Sequence, residues 1–144
     1  MRKASDNDVT TSDFRALSEF RYQIRRYLAF SDAAAAAEGL PSRQYQLLLS
    51  LKGLPEGIEP TIRNLAERLD VRHHSAVELV DRLEKRGFVR RERSQVHRSF
   101  VFVRITKEGE KVLKRLVASR KADLRVAGPI LVKALATLTK KGRK

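Results

Sequence analysis

The chain has 144 residues, the length of one domain or one compact protomer. It carries 31 Lys and Arg residues against 17 Asp and Glu residues, which gives a net charge of +14. The absence of cysteine excludes disulfides, thiolate catalysis, cysteine-ligated zinc and thiol redox sensing. No segment approaches the roughly 20 apolar residues that span a bilayer, and the first residues lack the apolar stretch of a secretory signal.

The net positive charge lies in the second half of the chain. Basic and acidic side chains are equal in number over residues 1–40 and again over residues 41–70. Residues 71–106 hold nine basic and four acidic side chains, and residues 107–144 hold twelve and three. Such asymmetry points to a polyanionic partner. A membrane-surface helix would need Trp or Phe on its apolar face, and both are absent after Phe102, so nucleic acid is favoured and no membrane partner is expected.

Apolar residues near the start of the chain recur at helical spacing. After a flexible arm at residues 1–11, Ser12 is a candidate N-cap, because its hydroxyl can accept a first-turn N–H. The stripe that follows consists of apolar residues three, four and seven apart: Phe14, Leu17, Ile24, Tyr27 and Leu28. Gly39 should end this helix, which is therefore assigned to residues 12–40. The stripe fits either the core of the protein or the seam of a dimer.

Shorter helices are predicted next. Ser42, after Pro41, can cap a helix that runs to about Lys52. The segment 53–60 holds two glycines and two prolines and is predicted to be a loop. Thr61 can then cap a second short helix.

A third helix follows the second after a tight turn at Asp70-Val71. It is predicted to run from about Arg72 to Arg86 and to end at Gly87, a residue type that favours helix C-termini. Two short helices joined by a few residues form a helix-turn-helix.

The periodicity changes to two after this helix. Phe88–Arg93 and Ser99–Ile105 are predicted strands, joined by a polar tip at Ser94–Arg98. A β-hairpin after a helix-turn-helix is a wing. The predicted fold is therefore mainly α with a small β-hairpin, and residues 41–106 form a winged helix-turn-helix domain.

Thr106 can cap a long helix in the C-terminal segment. Gly128-Pro129 is expected to break it, and a last amphipathic helix follows. Residues 107–141 are therefore predicted to form helices, and residues 142–144 a basic tail.

The helix at 72–86 decides the functional interpretation. Its apolar residues should pack it onto the domain, while a polar set lies on the opposite face or at its N-terminal end. An α-helix fits the major groove, where its first turns reach base edges. The residues that we assign to DNA readout are Arg72, His73, His74, Ser75, Glu78 and Arg82. The alternative is a solvated polar face, which any surface helix has.

Arginines cluster around the predicted hairpin: Arg90, Arg91, Arg93 and Arg98. An arginine at the tip of a wing can enter the narrow minor groove, where the potential is most negative. Arginines on the flanks can neutralise phosphates and release counterions. The alternative is a solubilising strand surface.

The segment 61–113 resembles the winged helix-turn-helix core of MarR-type transcriptional regulators. The most specific matching stretches are LAERL (65–69), LVDRLEKRGFVRR (79–91) and ITKEGEKVL (105–113). The flanking helices also fit, so the resemblance covers about residues 12–140. Asp70 departs from the family pattern, because a glycine is common at this turn.

The resemblance implies a sequence-specific regulator of transcription that binds double-stranded DNA. It implies a homodimer held by helices in segments 12–40 and 107–141, a palindromic operator, and commonly repression that a small aromatic ligand relieves. In the wing, Arg98 takes the position of the tip arginine, and Arg93 and His97 are further candidate contacts. Such regulators work in the cytoplasm of bacteria or archaea, at the nucleoid.

A ligand cleft is a further expectation. Aromatic residues of the first two helices could line it: Phe20, Tyr22, Tyr27, Phe30 and Tyr45. The alternative for these side chains is plain core packing.

Other functions have less support in the sequence. His73 and His74 are adjacent on a helix and diverge by about 100°, so a shared metal ion is not expected. No phosphate-binding glycine loop, nucleophile elbow or unexplained carboxylate pair is present, so neither an enzyme nor a cofactor is expected. A non-specific DNA-coating protein and a winged helix that binds only proteins remain alternatives.

Overall fold

The computed structural model describes residues 5–96 and 101–140. Within them the chain forms five α-helices and one antiparallel hairpin, after a single 3-10 turn at Asp6–Asp8. The elements in order are α1 (Thr11–Ala37), α2 (Ser42–Lys52), α3 (Ile62–Leu69), α4 (His73–Lys85), β1 (Val89–Arg93), β2 (Val101–Ile105) and α5 (Lys107–Leu138). The predicted mainly α fold with a small β-hairpin is confirmed.

The chain divides into two compact units. Residues 1–31 and 118–144 form one, which we call the terminal-helix unit, and residues 32–117 form the other, the winged-helix unit. The winged-helix unit contains α2, α3, α4 and the hairpin, with the adjoining ends of α1 and α5.

Leucine and valine form the core of the winged-helix unit. The largest fully buried side chains are Leu40, Leu47, Leu48, Leu65, Val80, Leu83, Val89 and Val103. They come from the end of the α1–α2 connection, from α2, α3 and α4, and from both strands. Burial of such side chains stabilises a fold by about 1.5–3 kcal/mol each.

The hairpin is anchored to the start of α3. Val89 pairs with Ile105, Arg91 with Val103 and Arg93 with Val101. The Val103 N–H donates to the Pro60 carbonyl at 2.8 Å, on the edge of β2 that β1 leaves free. The predicted strand residue Phe88 lies just before β1, and the predicted Ser99 and Phe100 lie outside the described residues.

Two of the predicted helix caps are confirmed. The Thr61 hydroxyl accepts the Asn64 N–H at 3.2 Å, and the Thr106 hydroxyl accepts the Gly109 N–H at 3.1 Å. Each satisfies one of the N–H groups that the first turn of a helix leaves without a backbone partner.

The predicted caps of α1 and α2 are wrong. Thr10, not Ser12, caps α1: the Asp13 N–H donates to the Thr10 hydroxyl at 3.2 Å, and the Asp13 carboxylate accepts the Thr10 N–H at 2.9 Å. This reciprocal pair is a capping box, and it places Thr11 inside the helix. Ser42 is the first residue of α2 after Pro41, and its hydroxyl donates to Asp32 at 2.5 Å instead.

The predicted break at Gly128-Pro129 is also wrong, because α5 continues through Pro129 to Leu138. Proline inside a helix loses one backbone hydrogen bond and crowds the carbonyl four residues earlier. The residues after it keep helical periodicity, and Ala134 is buried. Residues 107–138 are therefore one helix and not two.

The N-terminal turn of α5 packs tightly on the end of the α4–β1 connection. The Thr106 N–H donates to the Phe88 carbonyl at 3.0 Å, and the Thr106 hydroxyl donates to the Gly87 carbonyl at 2.6 Å. A Cβ at Gly109 would clash with the same Phe88 carbonyl oxygen and lie 3.0 Å from the Ile105 side chain. Only glycine therefore fits at position 109 without a backbone shift.

The terminal-helix unit leaves much of its apolar surface exposed. Its large side chains that are more than a third exposed are Val9, Phe14, Leu17, Tyr22, Leu28, Phe30, Val126, Ile130, Val132 and Leu135. Phe14 reaches 69% and Val126 77%. These residues include most of the α1 stripe predicted as core or dimer seam, so within the described chain this stripe is not a core.

Candidate nucleic-acid interface

Helix α4 has one face in the core and one in solvent. Ala76, Leu79, Val80 and Leu83 are buried, and their three- and four-residue spacing places them on one side of the helix. The helix begins at His73 after Arg72, which has an extended backbone and makes no side-chain cap bond. The buried face therefore holds α4 on the winged-helix unit, and the polar face remains available for other contacts.

The residues predicted to read DNA lie on the solvent side of α4. Arg72, His73, His74, Glu78 and Arg82 are exposed, and Ser75 is half-buried. Lys85 is exposed as well. Five of the six predicted readout residues are therefore solvent-exposed, along α4 or, for Arg72, directly before it.

The turn between α3 and α4 is compact. Asp70 has a left-handed backbone with φ of 53°, and its N–H donates to the Glu67 carbonyl at 3.1 Å. The Val71 N–H returns to the Ala66 carbonyl at 3.0 Å. Positive φ is where glycine is most at ease, and Asp is one of the few other residues that tolerate it. This conformation explains how Asp70 occupies a turn at which glycine is common.

Arg91 of β1 is bound to two carboxylates of α4. Its guanidinium donates to Asp81 at 2.6 Å and to Glu84 at 2.7 Å, and its backbone N–H donates to Glu84 at 3.1 Å. Burial opposes its charge, but the hydrogen bonds and charges of Asp81 and Glu84 outweigh burial and raise the pKa of Arg91. Both terminal nitrogens of Arg91 therefore already donate to carboxylates. The sequence instead suggested that arginines beside the hairpin bind phosphates.

The outer face of the hairpin carries a mixed charge cluster. Glu92 accepts from Arg90 at 2.9 Å and lies 3.5 Å from Arg104. Arg93, at the end of β1, is exposed. Arg93 is thus an accessible candidate contact, while His97 and Arg98 lie outside the described residues.

Comparison with known proteins adds to this geometry. The MarR family model matches residues 38–98, which include α2, α3, α4 and β1. No match was found among curated proteins.

Solved structures share the fold. AbsC of Streptomyces coelicolor, a MarR family transcriptional regulator, has 20% identity and a TM-score of 0.67, with 97% of this chain and 94% of that chain covered. Sco3205 of the same organism, a MarR family regulator in complex with DNA, has 22% identity, coverages of 92% and 91%, and a TM-score of 0.62. CouR of Rhodococcus jostii, bound to p-coumaroyl-CoA, has 22% identity, coverages of 83% and 88%, and a TM-score of 0.59.

The chain therefore has the winged helix-turn-helix fold of MarR-type proteins, and its residues 38–98 match the MarR family model. The family match includes the helix-turn-helix and the first strand, and it contains two of the three most specific stretches, LAERL (65–69) and LVDRLEKRGFVRR (79–91).

The aromatic residues of the predicted cleft lie in different environments. Tyr27 and Phe30 line a cavity of about 300 Å³ in the terminal-helix unit, together with Arg26 and Asp123. Tyr22 is 45% exposed. The remaining two are Phe20, which is half-buried, and Tyr45, which is buried in the core of the winged-helix unit.

In the described residues, no group of three or more His, Asp or Glu side chains is placed to hold a metal ion. Over the same ranges, no helix combines the length and the apolar character needed to cross a membrane.

The carboxylates that bind Arg91 were missed by sequence reasoning. One signal could have found them, because strand alternation places Arg91 on the same face as buried Val89. An arginine on that face needs a partner, and Asp81 and Glu84 are the acidic residues on one flank of α4.

Proposed function

We propose that this MarR-type protein is a sequence-specific regulator of transcription that binds a palindromic double-stranded DNA site as a homodimer. In this proposal the protein represses transcription. The observation that carries the proposal is the solvent-exposed polar face of α4, which has basic residues at both ends and lies next to an arginine-rich hairpin.

The chemistry of the α4 surface suits base readout. Arg82 can bind guanine with two parallel hydrogen bonds, Glu78 can accept from cytosine N4, and Ser75 can contact several bases. His73 and His74 stand in the first turn, the part of a recognition helix that comes nearest to base edges. The solved complex of Sco3205 with DNA, which has the same fold, supports this proposal.

The hairpin supplies contacts of another kind. Arg93 and Arg98 would neutralise phosphates or enter the minor groove, and His97 would add a further contact. These contacts position the protein on DNA and carry little sequence information.

Homodimerisation is supported by the exposed apolar side chains of the terminal-helix unit. Exposed apolar surface on a protein often marks a protein–protein interaction site. A twofold dimer of α1 and α5 would cover them and would place two α4 helices about one DNA turn apart.

A small ligand would bind in the cavity that Tyr27 and Phe30 line, with Arg26 available for a negatively charged group. CouR, which has the same fold, is bound to p-coumaroyl-CoA, a ligand with an aromatic acyl group. Such a ligand can release DNA only as far as it prefers the DNA-free conformation. Anisotropy of a labelled duplex during titration with aromatic acids tests this, with Tyr27→Ala as the insensitive variant.

The direct test is selection of duplexes from a random library, followed by salt titration against the selected and a random duplex. A specific regulator should prefer its site by roughly 10³-fold or more. A coating protein would show almost no preference, and a protein-interaction module would bind neither duplex. Either of these two results would overturn the proposal.

Variants separate readout from phosphate contact. His74→Ala or Ser75→Ala should change the selected sequence, while Arg98→Ala should weaken binding to all duplexes and lower the salt slope by about one. If neither α4 variant changes the selected sequence, base readout occurs elsewhere.

A further inference from the structure

The connection between α4 and the hairpin is short, and a strong side-chain contact bridges it. Helix α4 ends at Lys85, Arg86 and Gly87 follow, the latter with φ of +77°, and β1 begins at Val89. Beyond this turn, the Arg91 side chain donates to Asp81 at 2.6 Å and to Glu84 at 2.7 Å, both on the last turns of α4. Its backbone N–H donates to Glu84 at 3.1 Å.

The Arg91 contact constrains the position of β1 relative to α4. The Arg91 side chain is 27% exposed, less than either carboxylate partner, so it is held between the strand and the helix. Its two terminal nitrogens bind different residues one helical turn apart, which fixes direction as well as distance. The backbone N–H of Arg91 also donates to Glu84, so strand and side chain are both tied to the helix.

The contact also changes the charge beside the proposed readout face. Asp81 and Glu84 would repel DNA phosphates if they were unpaired, and Arg91 offsets one of their two charges. Arg91 itself has little freedom to reach a phosphate. Its role therefore differs from that of the exposed Arg93.

We propose that Asp81, Glu84 and Arg91 set the angle between α4 and the hairpin, so that base readout and hairpin contacts occur in register. Arg91 is then a positioning residue that determines specificity. This inference rests on the proposed DNA-binding function. Small misplacements of recognition groups are expected to have large effects, because each hydrogen bond to a base depends on distance and direction.

The decisive variant is Asp81→Asn with Glu84→Gln. It raises the net charge by two units, so electrostatics alone predicts tighter binding to any duplex. The proposal instead predicts that preference for the selected duplex over a random duplex falls at least about tenfold, the size of one lost base contact. The matched control is Glu56→Gln with Glu59→Gln, which adds the same charge on the exposed 53–60 loop and should keep the preference.

A second variant guards against loss of folding. Arg91→Lys keeps the charge but cannot hold two carboxylates with a planar fork, so the preference should fall at least about fivefold. A lysine that served as a phosphate contact would keep both affinity and preference. Circular dichroism identifies variants that fold.

Hydrogen exchange of the Arg91 amide gives a readout without DNA. Exchange should be faster in Asp81→Asn with Glu84→Gln than in the wild type, because the neutral amide oxygen of Gln accepts the Arg91 N–H more weakly than the Glu84 carboxylate does. Unchanged exchange, or a preference within about twofold of the control in both variants, would overturn the inference alone. A wild type without any duplex preference would overturn the proposed function, and the inference with it.

Discussion

In the winged-helix unit, leucines and valines from three helices and both strands are fully buried. In the described part of the terminal-helix unit, the buried residues are Ala16, Ser31, Arg120 and Ala134, and no large apolar side chain is among them. Apart from Leu49, Ile58 and Val96, the first unit keeps its large apolar side chains buried or half-buried, whereas the second exposes most of its own in the described residues. The difference indicates that the two units have different roles. Under the proposed function, the winged-helix unit binds DNA, and a second copy of the chain covers the exposed apolar side chains of the terminal-helix unit.

Charging the exposed stripe of α1 should have the largest effect on the terminal-helix unit. Leu17 is half exposed, and Leu17→Asp should raise the dimer dissociation constant about 10³-fold, because a twofold interface loses the buried leucine twice. Sedimentation equilibrium measures this constant. The control Ser18→Asp puts the same charge one residue away on an exposed polar site, and equal effects of both variants would contradict an apolar seam.

Truncation in the winged-helix core should act in another way. Leu48 is fully buried, so Leu48→Ala should lower the free energy of unfolding by about 2–5 kcal/mol through lost contacts and a cavity. Denaturant titration gives the value. A loss below about 1 kcal/mol would mean that this core is not packed as described.

Helix α5 has one glycine in each unit, Gly109 and Gly128, so the same substitution can be compared in both. Gly109→Ala should destabilise the protein by about 1–3 kcal/mol, since its Cβ meets the Phe88 carbonyl in the winged-helix unit. Gly128→Ala, in the terminal-helix unit, meets nothing within 4 Å and should change stability by less than about 1 kcal/mol. Thermal unfolding of both variants checks the order, and the reverse order would contradict the close approach at Gly109.

The smallest expected effect is a pH dependence within the winged-helix unit. The hydrogen bond from Lys52, at 3.1 Å, lowers the pKa of Glu110, and the charges of Lys52 and Lys114 lower it further. Because the folded pKa is below the unfolded one, the carboxylate stabilises the fold above its unfolded pKa. This contribution disappears as the pH falls through the folded pKa.

Glu110→Gln should therefore be less stable than the wild type at neutral pH, and the two should converge as the pH falls through the lowered pKa of Glu110. Denaturation midpoints across this range test the convergence. Glu108→Gln, at a position 70% exposed, is the control. A constant gap between Glu110→Gln and the wild type at every pH would exclude the ionic contribution.

Local signals in the sequence were sufficient for most of the winged-helix unit. Thr61, Thr106 and Gly87 mark helix ends by chemistry that acts within three residues, and α4 was predicted to within one residue at each end. The polar face of α4 was also predictable, since helical spacing alone separates it from Ala76 and Val80.

The errors arose where local signals competed or where the partner was distant. Thr10 and Ser12 are both good caps, and only the reciprocal bond with Asp13 decides between them. Pro129 normally ends a helix, but the flanking residues carry α5 through it. The partners of Arg91 lie seven and ten residues earlier on another element, so only the packing of strand on helix reveals them.

The central claim is that the exposed face of α4 meets DNA bases. The chain has three histidines, and two of them, His73 and His74, lie in the first turn of α4, so imidazole resonances can report on this surface directly. We predict that titration with the selected duplex shifts the His73 and His74 signals strongly, while a random duplex of equal length shifts them little. Unchanged signals from both histidines at saturation with the selected duplex would contradict the account.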